Sequence, residues 1–191
     1  MKKLLSIVAL IGVAACVPPP ARVDVPRTEA LDHSYNVDLP VGWIRHYTQD
    51  RVLVASRDGF ALQVIRVTHR PLDKAFPRTK KAASEAILPS ELAELQIAEL
   101  KTASAQTAAL TVIDNQPVTL DGRDGFRVRV SYYTPRGLEI NQVIYGLTEK
   151  SDYYYMEYVS PKLYYFDRTF GDFEKVVASF RTAAKAKTAS N

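Results

Sequence analysis

Apolar and polar positions change their spacing several times along the 191 residues. After Met1-Lys2-Lys3, residues 4–15 form an unbroken, mostly apolar block. A helix that crosses a hydrocarbon core needs about 20 such residues. Val17-Pro18-Pro19-Pro20 follows at once, and each proline ring removes a donor and clashes with the turn before it. The block reads as a removable export signal, not a span. Alternating and β-branched runs then predict strands over 34–39, 51–56 and 60–68. Arg57-Asp58-Gly59 separates the last two, and Asp-Gly is a hairpin signal.

Pro71 and Pro77 end that pattern, and residues 79–106, rich in Ala, Leu, Glu and Lys, predict helix interrupted at Pro89. Ser90 is the expected N-cap there, with Glu91 and Glu94 near the positive helix start. Leu88, Leu92, Leu95 and Ala103 share one side, on which Glu99 intrudes. Four strands follow at 110–120, 125–134, 138–148 and 153–160, with connections too short for parallel crossovers. In the second of them Phe126, Val128, Val130 and Tyr132 alternate with Arg127, Arg129, Ser131 and Tyr133. Phe166, Phe170, Phe173, Val177 and Phe180 then recur at helical spacing behind Asp167 as N-cap. The expected fold class is α+β: an antiparallel sheet of about six to seven strands covered by helices. The expected organisation is 1–15 signal, 16–30 cysteine and Pro-rich tether, 31–182 one α+β domain, and 183–191 flexible tail.

Charge and cysteine content sharpen this picture. The 25 basic residues exceed the 21 acidic ones, but removal of residues 1–15 takes Lys2 and Lys3 and no acid, leaving net +2. The basic balance of the full chain is therefore no argument for nucleic acid. Cys16 is the one cysteine, so an exported chain has no internal disulfide partner for it. Val13-Ala14-Ala15-Cys16 resembles the lipobox of bacterial lipoproteins, with Val13 where Leu is usual. The resemblance implies cleavage before Cys16, a diacylglyceryl group and an N-acyl (palmitate-type) chain on that residue, and anchoring stronger than one chain provides. It further implies, from Val17 at the sorting position, an outer-membrane location facing the periplasm.

Residues 35–43, Tyr-Asn-Val-Asp-Leu-Pro-Val-Gly-Trp, resemble the opening strand and Pro-x-Gly-Trp corner of PsbP-like (Mog/PsbP-type) proteins. The order of elements is similar too: a strand pair, a helical excursion, a four-strand meander and a closing helix ending near Ser179-Phe180. Over roughly 33–182 the resemblance implies an α/β/α sandwich whose relatives act chiefly as docking or accessory proteins, so that function has to be argued from a site.

Candidate chemistry is sparse. His33, His46 and His69 lack the close spacing of zinc sites, no Gly-x-Ser-x-Gly elbow occurs, and 121–125 lacks the ligand set of an EF-hand. The sequence therefore leads us to expect no catalytic residue, cofactor or metal, and a non-enzymatic protein. Tyrosine is the outlying feature: nine of the eleven fall between Tyr132 and Tyr165. They are compatible with a core in which rings pack and hydroxyls stay bonded. The functional expectation is a partner-binding surface of Arg127, Arg129, Tyr133, Tyr153, Tyr155 and Tyr158 that docks an envelope protein. Two alternatives stand beside it: a small-ligand or glycan pocket between sheet and helix, and a hydrolase built around His46 or His69.

Overall fold

The computed structural model describes residues 18–31, 34–48 and 52–183. The expected export signal, Cys16, Val17, His33 and residues 184–191 of the expected tail lie outside them. Eleven strands form two antiparallel sheets. The larger has the order β1 (Ala21–Arg22), β4 (Ile44–His46), β5 (Leu53–Ser56), β6 (Val64–Pro71), β10 (Asp152–Pro161), β9 (Glu139–Glu149), β8 (Arg123–Tyr133), β7 (Thr111–Leu120). The smaller is β11 (Arg181–Thr182), β3 (Tyr35–Leu39), β2 (Arg27–Leu31). Helix α1 (Pro89–Lys101) packs on β7, β8 and β9, and α3 (Asp167–Ser179) packs on β3 and β10. The four-strand meander stands as expected. Its first turn tightens to Asp121-Gly122, both at positive φ (49° and 72°), as a two-residue hairpin turn requires.

Several boundaries differ from the sequence reading, each for a local reason. Residues 21–30 are not a free tether. Ala21 pairs with Arg45 in the large sheet, Val23 is buried, and β2 pairs with β3 from Arg27↔Leu39 to Leu31↔Tyr35. Strand β6 starts at Val64, not residue 60, because only Gly59 of the Asp-Gly pair takes positive φ and residues 57–63 open into a loop. Pro89 sets the start of α1. Proline suits the first helical position, and the residue before it is driven to extended backbone; Leu88 has φ −69° and ψ 145°. Ser90 therefore lies inside the helix, and the Leu88 N–H is bound by the Glu91 carboxylate at 3.3 Å. Residues 79–88 are not helical but turns and irregular chain, with Lys81 bridged to Phe76, and the four-residue α2 (Ala105–Ala108) follows α1. Asp167 is the first residue of α3, not its cap.

Glu99 explains its own intrusion on the apolar side of α1. Its buried carboxylate accepts the Arg78 and Thr79 N–H groups at 3.0 and 2.9 Å and the Thr79 hydroxyl at 3.1 Å. It thereby fastens the preceding loop to the helix.

Two cores lie on the two faces of the large sheet. Tyr154, Met156 and Tyr158 of β10 join Trp43, Phe166, Phe173 and Phe180 on the α3 side. Tyr153 joins Phe76, Leu92, Phe126 and Val128 on the α1 side. Trp43, at the end of the Pro-x-Gly-Trp corner, is fully buried and donates its indole N–H to Asp172 of α3 at 3.1 Å. Asp172 also accepts from Arg57 at 3.0 Å, so one carboxylate ties the corner, the β5–β6 loop and α3 together.

Gly146 of β9 is required by packing. A Cβ there would stand 2.6 Å from Phe126 Cε1 and 2.8 Å from Cζ. Gly146→Ala is predicted to cost about 2 kcal/mol through overpacking. Calorimetry should read this as a fall in Tm of about 4–8 °C; an unchanged Tm would show that the Phe126 ring moves freely.

Candidate functional site

The structure divides the six residues of the expected surface between two faces. Odd-numbered residues of β10 point toward α1, whereas Arg127, Arg129 and Tyr133 of β8 point toward the α3 side. The pairings through β9 dictate this: Tyr155 and Phe126 both sit opposite Gly146, so Tyr155 shares a face with Phe126 and not with Arg127. Tyr153 and Tyr158 are fully buried, on opposite faces. The Tyr153 hydroxyl donates to Gln96 Oε1 at 2.8 Å, and Tyr158 meets Thr169 Oγ1 at 2.8 Å. Arg127 pairs with Asp114, and the Arg129 guanidinium lies 4.6 Å from the centre of the Phe166 ring. Tyr133 alone of the six is widely exposed. No contiguous surface joins them. Tyrosine abundance here is chiefly a packing device: Tyr145 and Tyr154 are also buried, the former bonded to Glu174 at 2.9 Å.

One of the six does reach a concave site. Tyr155 is half-buried in a cleft of about 510 Å³ between α1 and the sheet. Tyr132 stands beside it, and Arg66, Arg70, Arg78, Glu99, Glu157 and Gln142 supply its polar groups. Alternation places this set: Arg66, Thr68 and Arg70 of β6 face the same way because successive side chains swap sides, and Glu157 opposes Arg66 directly. The alternation of Arg66 and Thr68 was visible in the strand predicted over 60–68, with Arg70 just beyond its end. What it faced was not, since that depends on the distant partner β10.

The carboxylates of the cleft are already satisfied from within. Arg66 donates to Glu157 Oε1 at 2.8 Å and Gln142 to Oε2 at 2.7 Å. Glu99 holds the three donors described above, with Arg78 Nη1 at 3.6 Å besides. Arg70 donates one Nη to the Ala75 carbonyl at 3.1 Å, and its guanidinium lies 5.4 Å from the centre of the Tyr155 ring. Arg78 is half exposed. Three arginines against two satisfied glutamates leave positive charge and unused guanidinium donors. Burial first, and then the Glu157 charge, raise the Tyr155 and Tyr132 phenols above their ordinary values, so both stay neutral donors.

The two described histidines, His46 and His69, do not assemble a nucleophile. His46 Nε2 meets Ser56 Oγ at 2.8 Å, but Ser56 is buried and the His46 ring is packed 4.3 Å from Phe60. Burial, aided by Arg45, lowers the His46 pKa. His69 instead faces Asp152 at 3.8 Å and stacks on Tyr154. Among the described residues serine and carboxylate thus belong to different histidines, and no three His, Cys, Asp or Glu side chains gather as a metal site would require.

No protein-family model matches the sequence, and no curated protein matches it. Solved structures do share its architecture. Cyanobacterial PsbP (CyanoP) from Synechocystis sp. PCC 6803 is similar with a TM-score of 0.56 at 13% identity, over 92% of this chain and 98% of that one. The Ran-binding protein Mog1p of Saccharomyces cerevisiae has a TM-score of 0.50 at 11% identity, over 83% and 96%. PA94 from Pseudomonas aeruginosa, a putative regulator of unknown function, has 0.50 at 6%, over 81% and 94%. At such identities the likeness speaks for architecture alone: the chain has the PsbP-like α+β fold, as the Pro-x-Gly-Trp corner led us to expect.

Proposed function

We propose that this protein is a non-enzymatic lipoprotein of the cell envelope that binds a small acidic ligand in the cleft between α1 and the sheet. The cleft carries the reading. It combines a volume of about 510 Å³, within the range of small-molecule sites, with two tyrosine rings and guanidinium donors that internal acids do not consume. Arginine forks suit carboxylates and phosphates, and aromatic faces suit the flat sides of sugar or ring groups. An acidic saccharide satisfies both demands. The earlier expectation of a protein partner docked across Arg127, Arg129, Tyr133, Tyr153, Tyr155 and Tyr158 loses its surface, because those groups are split and largely buried. The non-enzymatic reading is supported by the separation of serine from carboxylate around His46 and His69.

Anchoring at Cys16 is supported by the lipobox resemblance and by the absence of any other cysteine. Among the described residues no helix is long and apolar enough to cross a membrane, so a membrane attachment of this part would have to come from elsewhere in the chain or from its surface. The expected location remains the outer membrane facing the periplasm, on the strength of Val17.

Two measurements test these statements. A trigalacturonate titration should raise the melting temperature, whereas neutral maltotriose should not, and Arg70→Ala should weaken the acidic sugar about tenfold, as expected for losing one charged hydrogen-bonded contact. Equal responses to both sugars, or none, would remove the cleft as an acidic-ligand site. For the anchor, Cys16→Ser should move processed chain from the membrane fraction to the soluble fraction; full retention in the membrane would refute acylation there.

A further inference from the structure

Charge is unevenly distributed along the cleft between α1 and the sheet. Side chains on the α1 face of β6 and β10 stand in rows two residues apart, because alternate residues share a face. Arg70 is opposite Tyr153, Thr68 opposite Tyr155, Arg66 opposite Glu157 and Val64 opposite Val159. From the Arg70 row to the Val159 row is six residues, or about 20 Å at the rise of a strand. Helix α1 runs the same way. Its first residue, Pro89, lies near Thr119 and Asp124 beside the turn between β7 and β8, and Gln96 meets Tyr153 in the Arg70 row. Leu100 follows one turn later, and Ala103 stands just past the helix end.

One half of the cleft holds all its charge. Arg70, Arg78 and Glu99 gather there, and the Arg66–Glu157 pair closes it. Among the described residues, no lining side chain beyond that pair is charged: Leu100, Ala103, Thr107, Tyr132, Gln142 and Val159 make up the far wall. The pairings put them together, since Gln142 is opposite Val159 and Tyr132 is opposite Ile140 one row further on. Thr107 belongs to α2, which packs on β8.

The two halves make different demands on a ligand. Arg70 and Arg78 offer guanidinium donors, which suit a carboxylate, while Glu99 is already held by Arg78 and Thr79. The far wall offers aliphatic and aromatic surface with an amide and a hydroxyl. A second carboxylate placed there would lose water without gaining a cation. An acid on every ring of a sugar chain therefore matches only half of the cleft, whereas an apolar group matches the other half and gains by leaving water. We infer that the cleft takes an amphipathic acid, bound end-on. Its single acid group sits at Arg70 and Arg78, and an uncharged apolar substituent lies along Leu100, Ala103, Tyr132 and Val159; this rests on the proposed acidic-ligand site. An acidic sugar that bears an alkyl or acyl chain belongs to this class and keeps its ring available to Tyr155.

Isothermal titration calorimetry with methyl and hexyl β-D-glucuronide tests this, with hexyl β-D-glucoside as the neutral control and every probe below its micelle concentration. The hexyl glucuronide should bind at least tenfold more tightly than either of the others. About two buried methylene groups supply that ratio over the methyl compound. Ala103 is exposed at the far end, so Ala103→Glu should set a charge against the chain and cut the hexyl-to-methyl ratio to about threefold or less. Circular dichroism checks that this variant folds. Equal affinities for the methyl and hexyl glucuronides, or a hexyl advantage untouched in Ala103→Glu, would overturn the amphipathic assignment and leave the acid seat standing. Hexyl glucuronide binding no better than hexyl glucoside would instead remove the acidic-ligand site itself, and the amphipathic assignment with it.

Discussion

The pairing of β10 between β6 and β9 is the constraint on which the rest of the structure depends. Eight residue pairs, from Asp152↔Pro71 to Val159↔Val64, join the meander to strands more than 80 residues earlier in the chain. Because side chains alternate, that register sends Tyr154, Met156 and Tyr158 into the core under α3. It sends Tyr153 under α1 and aims Tyr155 and Glu157 at the cleft. A slip of one residue would exchange the two sets, burying Glu157 among phenylalanines and exposing Tyr158. The tyrosine hydroxyls oppose such a slip: Tyr158 finds Thr169 and Tyr153 finds Gln96 only in the native register.

The same alternation accounts for the uneven chemistry of the two faces. On the α3 side the aromatic residues of the last helix fill the space against the sheet. On the α1 side the helix lies chiefly over β7, β8 and β9, so β6 and the C-terminal half of β10 line an open cleft beside it. Arg66, Arg70, Tyr155 and Glu157 project there, with Glu99 and Arg78 at the helix side. Its glutamates are bonded inward, so the cleft presents arginine rather than acid. The fold likeness to PsbP and Mog1p carries no information on that ligand, because the identities are far too low for a shared site.

Much of the architecture was legible in local pattern. The meander strands, the aromatic closing helix, the α+β class and the corner at Trp43 each follow from residues near in sequence, whose alternation or spacing has one physical meaning. Helix boundaries were less so: Pro89 and Glu91 define the start of α1 through the backbone of Leu88, which reads as capping by Ser90 until the geometry is seen. Strands β1, β2 and β4 were missed because they are short and gain stability only from partners elsewhere.

The candidate site lay beyond the sequence for a related reason. Tyrosine spacing correctly divides Tyr153 and Tyr155 from Tyr154 and Tyr158, but it is silent on which face a neighbouring strand presents alongside. That choice rests on the register through β9, where Gly146 aligns Tyr155 with Phe126 and turns Arg127 away. The sequence alone determined the class of fold, the meander and the lone cysteine behind a short apolar block, since these depend on composition and local periodicity. Only the tertiary structure decided which tyrosines are core and where the arginines converge, because long-range pairing brings those residues together.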